Sequence, residues 1–117
     1  MTLTNCTVTG PTGIYTNSKG DIILNGCTIK GTGTFAATTG SSHLGTGCAI
    51  LYYAYYNHAD LTISQSSKLE STSGHGIEYV YWKQQTGGAN HGHINISGTT
   101  YNIPSGNKVI LDSPITG

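Results

Sequence analysis

Short apolar-polar alternations, cut every ten residues or so by glycine, run the length of the chain. No set of apolar residues at i, i+3, i+4, i+7 lasts beyond one turn, so the pattern predicts short strands and no helix. Four segments superpose: Leu3-Thr4-Asn5-Cys6-Thr7-Val8, Leu24-Asn25-Gly26-Cys27-Thr28-Ile29, Ile63-Ser64-Gln65-Ser66-Ser67-Lys68-Leu69 and Ile96-Ser97-Gly98-Thr99-Thr100-Tyr101. Ile22, Leu61 and Ile94 stand two positions before the last three, and Asp21, Asp60 and His93 three before. Each segment is followed by a second apolar stretch: Gly13-Ile14-Tyr15, Ala49-Ile50-Leu51-Tyr52, Gly76-Ile77-Glu78-Tyr79 and Lys108-Val109-Ile110-Leu111. One unit therefore holds a strand, a polar turn, a short strand, another turn and a third strand.

The spacing from Leu3 to Leu24 is 21 residues, then 39 to Ile63 and 33 to Ile96. The shortest fits one coil of a solenoid, and the longer two fit the same coil with loops inserted at about 31–46 and 82–92. Stacking one coil on the next at ~4.8 Å would line apolar side chains into columns. The expected columns are Ile22/Leu61/Ile94, Leu3/Leu24/Ile63/Ile96, Cys6/Cys27 and Ile14/Ile50/Ile77/Val109. The coils would span about 1–20, 21–59, 60–92 and 93–117 of a single domain. Four coils are few, and a bare coil end exposes strand edges. The expectation is thus a piece of a longer solenoid, or a unit that self-associates or is covered by partner chains at its ends.

Composition agrees with this reading. Of 117 residues only 36% are hydrophobic and 9% charged, and 17 are glycine. Disordered chains carry high net charge and few aromatics; here net charge is zero, with eight Tyr, one Trp and one Phe. All five cations are Lys, which excludes nucleic-acid binding through a basic patch. No apolar run is long enough for a transmembrane helix. Met1 leads straight into polar, strand-like sequence, so no signal peptide is read there.

The repeats "TLTNCTVTG", "DIILNGCTIKG" and "DLTISQSSKLESTSGHGIEY" resemble those of right-handed parallel β-helix, or pectin-lyase-like, proteins. The resemblance covers nearly the whole chain. It implies the fold, but that fold hosts lyases, hydrolases, adhesins, autotransporter passengers and phage tailspikes. Gly74-His75-Gly76 is similar to a motif of polygalacturonase-type hydrolases, yet the aspartates and the Arg-Ile-Lys that accompany it there are missing, and His75 reads as an exposed turn residue. Asp21, Asp60 and His93 form the most prominent polar column, with Lys19, His58 and His91 two positions earlier. Stacked carboxylates beside imidazoles are candidate ligands for a divalent cation; the ordinary reading is turn chemistry. No other cofactor is expected.

Tyr53, Tyr55 and Trp82, joined by Tyr15, are expected to form an exposed aromatic strip beside Asn57, Gln84, Gln85 and Asn90. Such a strip suits sugar stacking; packing under the inserted loops is the competing reading. The three Cys leave no disulfide framework, although Cys6 and Cys27 share a column. Asn5-Cys6-Thr7 and Asn95-Ile96-Ser97 fit glycosylation sequons; the column Thr7/Thr28/Ser67/Thr100 is hydroxylated, but its partners two positions on, Thr9, Lys30, Leu69 and Asn102, break the array that ice binding needs. The expected function is a non-catalytic, secreted or cell-surface module that binds a polysaccharide, a surface glycan or a protein receptor. The alternatives are a fragment of a polysaccharide lyase or glycoside hydrolase, and a purely structural spacer.

Overall fold

The computed structural model describes residues 1–16, 20–39, 43–54, 60–81, 92–102 and 108–117. Among them there is no helix, and thirteen strands follow one another. The first circuit of the chain holds β1 (Thr2–Thr4), β2 (Thr7–Gly10) and β3 (Ile14–Thr16). The second holds β4 (Ile22–Asn25), β5 (Thr28–Gly31) and β6 (Ile50–Ala54), and the third β7 (Leu61–Ser64), β8 (Lys68–Ser71) and β9 (His75–Tyr81). Then come β10 (His93–Ile96), β11 (Thr99–Asn102), β12 (Lys108–Asp112) and β13 (Ile115–Thr116).

Through β9, successive strands go to three different sheets, and each circuit adds one strand to each. The sheet orders are β1-β4-β7-β10-β11, β2-β5-β8-β13 and β3-β6-β9-β12, and none closes into a barrel. Pairing between circuits is parallel and in register. Leu3 pairs with Leu24, Leu24 with Ile63, and Ile63 with Ile96; Ile22, Leu61 and Ile94 form a second row. Ile14, Ile50 and Ile77 form a third. These rows meet in one core with Cys27, Ile29, Leu69 and the tyrosines Tyr52 and Tyr79. The two phenol rings stack at 4.7 Å and 3° between planes, and the Tyr52 hydroxyl donates to the Gly20 carbonyl at 2.9 Å. Gly13 is required where the third sheet begins, since a Cβ there would sit 2.6 Å from the Ala49 carbonyl oxygen.

The corner between the first two sheets needs left-handed backbone. Asn5 and Gly26 supply it with φ of 51° and 65°, side chains and residue types that tolerate it. The third circuit uses two such residues, Gln65 and Ser66. That extra residue shifts the register by one. Thr28 therefore pairs with Lys68, and Ser67 instead faces Cys27, whose N–H donates to its hydroxyl. The expected column Thr7/Thr28/Ser67/Thr100 is corrected accordingly.

The last circuit is also corrected. Beyond β10 the chain reverses at Ser97 and Gly98, both at positive φ, in a two-residue hairpin. β11 pairs antiparallel with β10, β12 with β9 and β13 with β8. The final residues run round the stack in the opposite sense. Val109 lies against Tyr79, and Leu111 takes the position beside Ile77 that Val109 was expected to fill.

Candidate functional site

The loop between β5 and β6 differs from the other corners. A bridge between Ala36 and Thr46 folds it back on itself. It carries Thr38 onto the outer face of the third sheet. There Glu78 is buried, and it accepts the Thr38 N–H at 3.0 Å and the Thr38 hydroxyl at 2.7 Å. Residues 50–53 and 76–80 are all buried, so the two central strands of this sheet are covered on both faces there. Tyr53 is therefore not exposed. Its outward side chain is only 3% accessible and packs with Leu51 and Val80. Tyr15, by contrast, stands 46% exposed on β3. Tyr55, Trp82, Asn57, Gln84, Gln85 and Asn90 lie outside the described residues, and the described tyrosines alone make no strip.

Asp21, Asp60 and His93 do come together, at the entrance to the first sheet. Asp21 Oδ1 accepts the Asp60 N–H at 2.9 Å. Asp60 Oδ1 accepts the His93 N–H at 3.0 Å and lies 3.1 Å from His93 Nδ1. Each carboxylate thus caps the backbone of the next circuit, the role that aspartate plays in turns. Among the described residues no group of three or more His, Cys, Asp and Glu is placed to hold a metal ion. Lys19, His58 and His91 lie outside the described residues.

A groove of about 410 Å³ opens at the other end of the second sheet, where the loop leaving β5 meets the turn leaving β8. Thr32, Gly33, Thr34, Phe35, Thr72 and Ser73 line it. The loop is held by the Gly33 N–H on the Pro11 carbonyl at 3.0 Å. Thr72 donates its hydroxyl to the Thr32 carbonyl at 3.2 Å, which joins the two walls. Behind the groove the Phe35 ring lies 4.0 Å from the His75 ring, tilted by 40°. His75 is thus half-buried under Phe35 rather than exposed. Its Nδ1 sits 3.6 Å from the exposed Asp112 carboxylate. The groove escaped the sequence reading, because its two walls are forty residues apart and their only signal is the Thr/Ser/Gly composition.

All five acidic residues are described, and they are dispersed. Asp21, Asp60 and Glu78 accept the hydrogen bonds given above. Glu70 pairs with Lys68 at 2.7 Å, and that hydrogen bond and charge hold its carboxyl below the ordinary value. Asp112 is exposed and faces His75. Cys48, next to Glu78 in charge terms, is buried, and burial first and the Glu78 charge second push its thiol up to about 12. No described helix is long and apolar enough to cross a membrane. Comparison of the chain with protein-family models, with curated proteins and with solved structures finds no match.

Proposed function

We propose that the chain is a right-handed parallel β-helix module, secreted or at a cell surface, that holds a glycan in the Thr32/Phe35/Thr72 groove without cleaving it. One observation carries the reading: four hydroxyl-bearing residues and one aromatic ring converge on an open groove large enough for a sugar residue or two. Threonine and serine hydroxyls match sugar hydroxyls as donors and acceptors. A half-buried phenyl ring offers an apolar face to pyranose C–H groups. No charged side chain lines the groove, which favours a neutral polysaccharide over a uronate polymer. The wider reading of the fold is supported by the stacking of β1 to β10, in which every pairing between circuits is parallel and each of the first three circuits gives one strand to each sheet.

Glycoside hydrolysis ordinarily takes two carboxyl groups about 5–9.5 Å apart across the scissile bond. No carboxylate lines this groove, and Asp21, Asp60, Glu70 and Glu78 are each engaged in the hydrogen bonds or ion pair given above. That dispersal supports binding over cleavage. Affinity electrophoresis through gels cast with neutral and acidic polysaccharides tests the proposal. Retardation on a neutral polymer, with its chain length unchanged, is expected. Shortening of the polymer, or free migration through every gel, would overturn it.

A further inference from the structure

We propose that Cys6 and Cys27 are an oxidisable pair, which a small-molecule disulfide converts into a covalent staple between the first two circuits. Their Sγ atoms lie 3.3 Å apart. Both occupy the corner between the first and second sheets. The pairing on either side, Thr4 with Asn25 and Thr7 with Thr28, fixes their backbones in register. Adjacent in-register strands are about 4.8 Å apart, inside the 4.4–6.8 Å that a disulfide spans between Cα atoms. A modest rotation of the side chains brings the sulfurs to bonding distance. Cys6 is half-buried at the edge of the stack and Cys27 is buried behind it, so a reagent meets Cys6 first.

The chemistry follows from that order. The Cys6 thiolate attacks one sulfur of oxidised glutathione, forms a mixed disulfide and expels one glutathione thiolate. The Cys27 thiolate then attacks the Cys6 sulfur, forms the internal disulfide and expels the second. Two protein thiols lose two electrons; oxidised glutathione gains them, and the two protons pass to the departing thiolates. The hydrogen bond with Cys27, then burial, holds the Cys6 thiol above its ordinary value, so the reaction is slow at neutral pH and faster in mild alkali.

The staple ties an end layer of the stack to the circuit beneath it. β1, β2 and β3 each have a neighbour on one side only, and Leu3, Val8 and Ile14 are only partly buried. A cross-link between positions 21 apart removes freedom from the unfolded chain and ties this outer layer to β4 and β5.

The test is incubation of the native chain with oxidised glutathione at about pH 8.5, quenching with N-ethylmaleimide and peptide mass mapping. The expected product is a linked Cys6–Cys27 peptide with Cys48 still a thiol, and a Tm raised by on the order of 10 °C that dithiothreitol reverses. In C27S, glutathione should remain on Cys6; in C6S, Cys27 should stay a thiol. Three results would each overturn the proposal. They are a lasting glutathione adduct on Cys6 of the unmutated chain, a bridge that includes Cys48, and three unreacted thiols in the folded chain under conditions that oxidise it in urea.

Discussion

Truncation of Ile63 measures how far the stacked rows act as the core. Ile63 is fully buried, with Leu24 on one side and Ile96 on the other. Ile63→Ala removes three carbons, worth about 2.4 kcal/mol of transfer free energy at about 0.8 kcal/mol each. The surrounding rows are fixed by backbone pairing, so the hole cannot collapse and the cavity adds to the loss, for a total of about 3–4 kcal/mol. Leu3 occupies the same row but has a neighbour on one side only and is half-buried. Leu3→Ala opens to water, leaves no closed cavity and should cost about 1 kcal/mol. For a chain of this length 1 kcal/mol moves Tm by about 4 °C, which predicts losses of about 12–16 °C and about 4 °C. Urea unfolding followed by circular dichroism gives both free energies, with the slope m unchanged. Should Ile63→Ala fail to fold, Ile63→Val against Leu3→Ala keeps the comparison, at about 1 kcal/mol each. Equal losses for the two alanine variants, or a larger one at Leu3, would refute the row as the core.

Three further outcomes follow from the same contacts. Thr38→Val deletes a hydroxyl that donates to a buried carboxylate, and should cost about 1.5–3 kcal/mol in urea unfolding, while Thr39→Val, at an exposed site, should cost under about 0.5 kcal/mol. Cys48 has a folded pKa raised to about 12, above its unfolded value, so its stabilising contribution is complete below about pH 9 and is lost as pH climbs towards 12. Cys48→Ala should therefore flatten the alkaline fall in stability, and an unchanged pH profile would show that the thiol is not held neutral. Asp60→Ala strips the cap from His93 and should cost about 1 kcal/mol in urea unfolding, and no loss would show that the cap contributes nothing.

Much of the stacking was legible because a two-residue period leaves few registers open. Ile22, Leu24, Leu61, Ile63, Ile94 and Ile96 can all face inward only if the circuits align as they do. The reversal after β10 had a local signal, the Ser97-Gly98 pair between two strand-like stretches. Extrapolating the repeat hid it, since a parallel fourth circuit satisfies the same apolar pattern. The register step at Gln65 and Ser66 has a similar cause: one extra polar residue in a corner changes no apolar position before it. Tyr53 departs from the exposure that alternation predicts, because alternation assumes one wet face. The run Ala49-Ile50-Leu51-Tyr52-Tyr53 is apolar without interruption, the mark of a strand covered on both sides. What lies over that face, Thr38 on Glu78, joins residues forty positions apart and leaves no trace in local pattern. The groove is of the same kind, formed by two loops that only the stacking brings together.

The glycan-binding reading turns on Phe35. Retardation of the unmutated chain and of Phe35→Ala, each measured against rising concentrations of the same neutral polysaccharide, yields two dissociation constants. The loss of one stacked aromatic contact predicts binding weaker by about two- to tenfold, with Tm changed by only a few degrees. Equal dissociation constants would contradict the groove as the site of binding.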